Sequence, residues 1–437
     1  MMRFLFVVRN LNTQHLAIMD KKTIALCAIL CAHWAFGAGF QVLEQGAANL
    51  GTALAGATAN AAGDASAAFW NPSASAFQDM RPGETKIDSA ITFVIPSFEF
   101  RNTDSSPSLG TNEGGNAGEV AYVPNFYMIH KFTEELYVTM SGTSTYGLET
   151  DYANGWIGRY HALNSDLMTL DFNPSIVYKP VDWLSFSAGG SLQWMHAQLT
   201  QAAPIYVGGT YITDALVNLS GSSLSGGANV GMTIEYAENG RIGFGWRSEV
   251  AHSLSGNQKV NGSITNPIDC DITLPQTFNV GFYQRLWGPL HRFAVMADYA
   301  WTGWSSFSVL DIKNGDTGAS VGNPVNENWK NPSRVALGFY FNPAFSKNFV
   351  FRWGAAWDES PIRSAEFRSA RIPCTDRLWL SCGLGYRTAD INIDVGYTYI
   401  YFLDDPEIHT AGGPTNSLNG YYVGHAHVVS IQAGIYF

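Results

Sequence analysis

One pattern restricts this chain more than any other: strand-length runs in which every second side chain is apolar, recurring until the last residue. In 391–401, Ile391, Ile393, Val395, Tyr397, Tyr399 and Tyr401 share one face, while Asn392, Asp394, Gly396 and Thr398 share the other. In 167–179, Met168, Leu170, Phe172, Ile176 and Tyr178 oppose Thr169, Asp171, Asn173, Ser175 and Lys179. Leu184, Phe186, Ala188, Leu192 and Trp194 repeat the pattern, as do Phe293, Val295, Ala297, Tyr299 and Trp301. A period of two marks a strand whose faces meet different surroundings.

Those surroundings follow from the rest of the chain. Only 14% of the 437 residues are charged, against roughly 25% in soluble globular domains. No apolar window beyond residue 38 is long enough for a spanning helix. A chain that crosses lipid without such helices must close its sheet, because lipid leaves open backbone groups unsatisfied. Apolar-out, polar-in alternation is what a barrel wall with a wet lumen requires. A soluble β-sandwich would not explain Trp and Tyr at strand ends, which suit the membrane interface. Short turns are expected near 132–135, 180–182, 237–240, 288–291, 344–348 and 389–390. Longer polar loops are expected near 101–118, 149–165, 201–219, 259–271, 312–328, 364–376 and 404–424. Six short and seven long connections join fourteen antiparallel strands, ending in Ile431, Ala433, Ile435 and Phe437 on one face.

The N-terminal part reads differently. Lys21 and Lys22 precede an apolar run, Thr23 to Trp34, and Ala35-Phe36-Gly37 offers small residues for cleavage before Ala38. This is the layout of a secretory leader. Met19 is then the expected start, with 1–18 an extension. The stretch from Ala38 to Ala76 is crowded with Ala and Gly and contains Asn71-Pro72. It is expected to form a hatch inside the barrel, its small residues allowing close backbone packing. Asn71 suits a helix N-cap and Pro72 the first helical position. Asp64 and Ser66 are candidates for hydrogen bonds that tie the hatch to the wall. The expected division is therefore 1–37 leader, 38–80 hatch and 81–437 barrel.

Several function classes are excluded or unsupported. A formal charge of −11 argues against nucleic acid, which needs clustered Lys and Arg. No nucleophile elbow, phosphate loop or dinucleotide motif occurs. His425 and His427 share a strand face, but two ligands are too few for a metal site. No cofactor or metal is expected. Cys270, Cys374 and Cys382 form no disulfide framework, although Cys270 and Cys374 both fall in expected outer loops and a pairing stays open. In the third strand, roughly 136–148, Gly142 and Gly147 flank a Ser/Thr-rich stretch. Glycine within a strand marks a bulge or a close backbone approach, so this is the candidate for an opening in the wall.

The ordered motifs resemble the FadL/TodX group of outer-membrane transporters for long-chain fatty acids and other hydrophobic compounds. The resemblance rests on Ala38-Gly39-Phe40-Gln41, Asp64-Ala65-Ser66, Asn71-Pro72, Tyr146-Gly147-Leu148 and Trp156-Ile157-Gly158-Arg159-Tyr160. It continues through Leu274-Pro275-Gln276-Thr277, Trp301-Thr302-Gly303-Trp304-Ser305, Asn328-Trp329-Lys330 and Pro373-Cys374-Thr375-Asp376-Arg377. Ser73 and Cys374 depart from the usual family residues. The resemblance implies a monomeric fourteen-stranded barrel in the outer membrane of a Gram-negative bacterium, in contact with lipid and lipopolysaccharide. It implies substrate binding in an apolar pocket and sideways release at a kink in the third strand. Lys330 aligns with a family lysine associated with the ligand head group, and His196 falls where some relatives carry Arg. Its parity puts His196 with the outward set. A long-chain fatty acid or an aromatic hydrocarbon both fit. A general porin, a surface receptor and an outer-membrane enzyme are the competing classes.

Overall fold

The computed structural model describes residues 39–410 and 416–437. The expected leader, residues 1–37, lies outside these. Fourteen barrel strands follow in order. They are β1 (Thr85–Asn102), β2 (Ala121–Lys131), β3 (Leu136–Thr143 and Gly147–Asp151), β4 (Asn164–Val181) and β5 (Leu184–Val207). Next come β6 (Thr210–Ala237), β7 (Gly240–Arg247 and Val250–Val260), β8 (Ser263–Leu274 and Thr277–Arg285) and β9 (Phe293–Thr302). The last are β10 (Ser333–Phe341), β11 (Phe349–Asp358), β12 (Arg377–Arg387), β13 (Ile391–Phe402) and β14 (Asn419–Tyr436). Sequential strands pair antiparallel, and β14 returns to β1 from Lys86↔Tyr436 to Asn102↔Gly420, which closes the barrel.

The wall has the polarity expected from the alternation. On β4, Leu170, Phe172 and Ile176 are exposed outward, while Thr169, Asn173 and Ser175 are buried against the lumen. On β10, Val335, Leu337 and Phe339 form the same outward band. Phe132, Trp183, Trp287 and Phe345 are exposed beside the short turns and make the lower aromatic girdle.

Two expected loops are not loops. Residues 201–219 and 259–271 continue the strands into tall hairpins, paired to their tips. The reason is local. Gly208 and Gly209 have φ of +58° and +82°, and Asn261 and Gly262 have +50° and +84°. Two successive left-handed residues make the tight turn that matches strand twist.

Three strands break, and each break moves the side chains to the other face. In β3, Tyr137, Thr139 and Ser141 face the lumen below the break, and Leu148 and Thr150 face it above. In β7, Gly243 and Gly245 lie against the hatch, whereas Val250, His252 and Leu254 point inward above residues 248–249. β8 shifts at Pro275-Gln276, since proline cannot donate to the ladder. A one-residue insertion flips a strand's faces. Above the breaks of β7 and β8, Leu254, Ile268, Ile272 and Leu274 are buried inside. Outside, Ser253 and Ser255 donate to Asp271 and Asp269 at 2.7 Å each. The upper barrel therefore has an apolar interior and a polar exterior, the arrangement of a water-exposed protein.

Residues 41–80 fill the lower lumen and are almost entirely buried. They form short helices α1 (Ala47–Leu50) and α2 (Ala67–Trp70) and a 3-10 helix over Pro72–Phe77, joined by turns. Such short pieces leave many carbonyls without helical partners, and wall arginines supply donors. Arg241 reaches Phe77 and Asn60, Arg247 reaches Phe69 at 2.6 Å, and Arg334 reaches Ala53 at 2.8 Å. Wall glycines permit the approach. A Cβ on Gly354 would stand 2.0 Å from the Thr52 carbonyl oxygen, and one on Gly243 2.1 Å from that of Thr58.

Candidate functional site

The site is built where β3 breaks. From Ala121 to Asn125, β2 has no partner on its β3 side, because their ladder begins at Phe126↔Gly142. Above Thr143 the chain turns inward until Gly147 resumes pairing with β4, and higher up Thr150 bridges to Gly118 ahead of β2. A seam is left in the wall, and the start of the hatch covers it. Val42 N–H donates to Thr145 O and Gly147 N–H to Phe40 O, both at 2.9 Å. Gln45 Nε2 donates to Ser144 O at 2.6 Å. Thr169 Oγ1 accepts from Tyr146 N–H at 2.9 Å. Residues 40–45 thus act as a substitute strand for the broken one.

Aromatic packing holds that segment. The Phe40 ring lies 4.6 Å from Trp304, 5.6 Å from Phe307, 5.9 Å from Trp329 and 6.1 Å from Tyr146. Gly39 has φ +67°, and a Cβ there would meet Trp329 at 2.7 Å. The backbone enters the cluster in a form that only glycine takes without strain.

Above the seam lies an apolar pocket lined by Phe40, Leu148, Leu167, Leu199, Ile272 and Phe307 among others. Glu327 and Arg371 also line it. Arg371 donates to Asn164 O (3.1 Å), Ser165 Oγ (2.9 Å), Thr200 O (3.4 Å) and Gln201 Oε1 (3.0 Å), all neutral acceptors. Among the described residues no carboxylate forms an ion pair with it. Burial pushes Arg371 down to about 10, opposed by Tyr152 and Glu327, so it stays cationic at neutral pH. Burial pushes Glu327 up to about 7, opposed by the Trp329 indole N–H at 3.1 Å and by Arg371. A half-buried cation with neutral hydrogen-bond partners beside an apolar cavity suits an amphiphile with a negative head. Below, a second cavity runs between hatch and wall, bounded by Val42, Leu54, Phe69, Tyr146, Val250 and Arg334 among others.

The structure separates the residues singled out from the sequence. Lys330 pairs with Glu359 at 2.7 Å and is about a third exposed. It follows Trp329 of the aromatic cluster. His196 faces outward on β5, stacked on Trp194 and 2.9 Å from Ser222 Oγ. Gly142 is the last β3 residue paired to β2, and Gly147 begins the segment above the break. Asp64 accepts from Ser66 within the hatch and from Gln432 Nε2 of β14 at 2.8 Å. Ser66 Oγ in turn accepts from Asn49 at 2.8 Å, so its tie is internal. Pro72 opens the 3-10 helix and Asn71 stands at its N-cap position, yet Asn71 makes no capping bond. Its amide instead donates to Thr58 O and to Thr233 Oγ1 of β6, both at 2.9 Å. Cys270, Cys374 and Cys382 are all free thiols, so the pairing left open does not form. Arg371 was not singled out from the sequence; only its place in the folded outer layer distinguishes it from other loop arginines.

A family model described as outer membrane protein transport protein (OMPP1/FadL/TodX) matches residues 28–437. A long-chain fatty acid transport protein of Salmonella typhi is 29% identical over 417 residues, 88% of this chain and 92% of that one. Outer membrane protein P1 of Haemophilus influenzae is 27% identical, covering 87% and 90%. In fold, a crystal structure of a Pseudomonas aeruginosa FadL homologue superposes with a TM-score of 0.82 at 21% identity, covering 91% and 99%. A toluene transporter of Pseudomonas putida gives 0.60 at 13% identity, covering 85% and 93%.

Proposed function

The chain belongs to the OMPP1/FadL/TodX family of outer-membrane transport proteins, and from that premise we propose that it takes up long-chain fatty acids. The acid enters the outer pocket with its carboxylate toward Arg371 and its tail among Leu148, Leu167 and Ile272. One observation carries the reading: Phe40 lines that pocket and also holds the seam in β3 shut. A tail that displaces the Phe40 ring loosens residues 40–45 and connects the pocket to the lower cavity and the bilayer. Sideways release keeps the tail out of water, at about 0.8 kcal/mol per methylene. The cation at Arg371 favours a fatty acid over an uncharged aromatic hydrocarbon, and the filled lumen argues against a general porin. In this reading 1–37 is a leader, 38–80 the hatch and 81–437 the barrel. Lys330 helps recruit the head group, and the protein works as a monomer among lipid and lipopolysaccharide.

The test is uptake of labelled fatty acid by cells with and without the gene. Deleting 40–72 should leave a folded barrel that leaks small solutes and loses selective uptake. Equal uptake with and without the gene would end the proposal.

A further inference from the structure

The wall has a second unpaired stretch, between β6 and β7. Their ladder runs from Val217↔Val260 to Ser222↔Ser255, stops, and resumes at Asn229↔Arg247. Residues 223–227 and 249–254 make no ladder pair with each other. What joins them is a short set of bonds in place of a ladder. Ser248 N–H donates to Ala228 O at 2.8 Å, Ala228 N–H donates back to Ser248 Oγ at 2.9 Å, and Ser225 Oγ donates to Ala251 O at 2.6 Å. A hydroxyl bridging to a backbone carbonyl stands where strand should meet strand. Gly226 and Gly227 contribute no side chains, and the stretch is closed by Val250, whose Cγ2 would lie 3.0 Å from a Cβ on Gly227.

Cavities lie at both ends of this stretch. Ala228, Ser248 and Val250 line the lower cavity. Gly221 and Leu254 line a separate apolar pocket with Leu219, Ile268 and Ile272. That pocket shares Ala197, Leu199, Ile272 and Leu310 with the one holding Arg371. His252, within the stretch, is buried and 3.0 Å from Gln193 Oε1, another lower-cavity residue. The height is also informative. Residue 249 lies nine positions above Gly240, where β7 leaves its lower turn, and residue 144 lies eight above Leu136, where β3 does. At the usual rise and tilt of barrel strands both stand roughly 20 Å above those turns. That is near the outer edge of an apolar band about 25 Å tall. Leu224 is 63% exposed outward on β6 beside the gap, while Glu249 and Ser253 begin the polar exterior of β7. The second seam therefore opens at the border of acyl chains and head groups.

We propose that this seam is a second lateral port, through which hydrophobic molecules dissolved in the outer leaflet pass between Gly226-Gly227 and Val250 into the lower cavity. It rests on the transport reading above and adds a way in from lipid to the way out at β3. An amphiphile already in the membrane then needs no return to water to reach the lumen.

The test uses a Gly227→Cys/Val250→Cys variant reconstituted in liposomes, its cross-link verified by mass spectrometry and reversed with reductant. Oxidised wild type controls for Cys270, Cys374 and Cys382. A photoreactive palmitate analogue is supplied either preloaded in the bilayer or on albumin in water. Irradiation of the wild type with bilayer-loaded probe should label 225–228 and 249–252. Compared with the same variant reduced, oxidation should abolish that labelling and slow capture of bilayer-loaded probe at least fivefold more than capture of albumin-delivered probe, with reductant restoring the rate. Labelling confined to 144–147, or equal capture by oxidised and reduced variant, would overturn the port while leaving the transport reading intact. Absence of capture by wild type from either source would overturn both.

Discussion

Replacing Arg371 by methionine separates a head-group anchor from a structural residue. The methionine keeps most of the volume and removes the charge. A carboxylate bound to a guanidinium makes charge-assisted hydrogen bonds worth about 1.5–3 kcal/mol, so affinity for a fatty acid should fall roughly 10- to 150-fold. The substitution also strips donors from Asn164 O, Ser165 Oγ, Thr200 O and Gln201 Oε1, which loosens the pocket for any ligand. The assay therefore compares a fatty acid with the alcohol of equal chain length, by titration calorimetry in detergent. The acid should lose most of its affinity and the alcohol less than threefold. Equal losses for both would assign Arg371 to packing alone, and no loss for the acid would refute the anchor. A second measurement tests the same pocket. Glu327, at about 7, is neutral below that pH and anionic above it, where it repels a carboxylate ligand. Affinity for the acid should therefore fall as pH rises through 7, and Glu327→Gln should flatten the profile.

Three further predictions concern the hatch. Gly354→Ala places a methyl 2.0 Å from the Thr52 carbonyl oxygen; the strain of overpacking, about 1–3 kcal/mol, should displace the hatch and raise solute leakage in liposome swelling. Phe40→Ala removes the ring that Trp304, Phe307 and Trp329 surround, at about 3–5 kcal/mol, and should speed amide exchange at 145–147 at least 100-fold. Glu44, buried in the hatch, is pushed up to about 7 by burial despite Arg377. The folded chain thus holds this proton more tightly than the unfolded one. Its stabilising effect is complete below about pH 4.5, is lost as pH rises through 7, and is flat beyond. Glu44→Gln should remove that part of the slope in melting temperature against pH; an unchanged slope would contradict the assignment.

Much of the barrel is legible in the sequence, because a two-sided strand imposes alternation that no other element imitates. The fourteen strands and the small-residue character of 38–76 follow from composition and period alone. The tall hairpins turning at 208–209 and 261–262 are hard to read, because polar outward residues there resemble loop even though Gly-Gly and Asn-Gly are turn signals. Ties within the hatch were only partly readable. Asn71 looked like a cap, but tertiary contact gave its amide better partners in Thr58 and Thr233.

Which way a face points is a different kind of fact. Ile242, Phe244, Trp246, Val250 and Leu254 all occupy even positions, and nothing in their order marks a change. In the barrel the first three face outward, while Val250 and Leu254 face the lumen, because the break at 248–249 turns the strand over. The sequence determines that a strand has an oily side. Whether that side meets lipid or cargo depends on neighbours far along the chain, on the hatch that occupies the lumen and on where the wall leaves the bilayer. Arg371 has the same history: a loop arginine by sequence, it becomes a candidate head-group anchor only because folding sets it beside an apolar pocket with neutral hydrogen-bond partners.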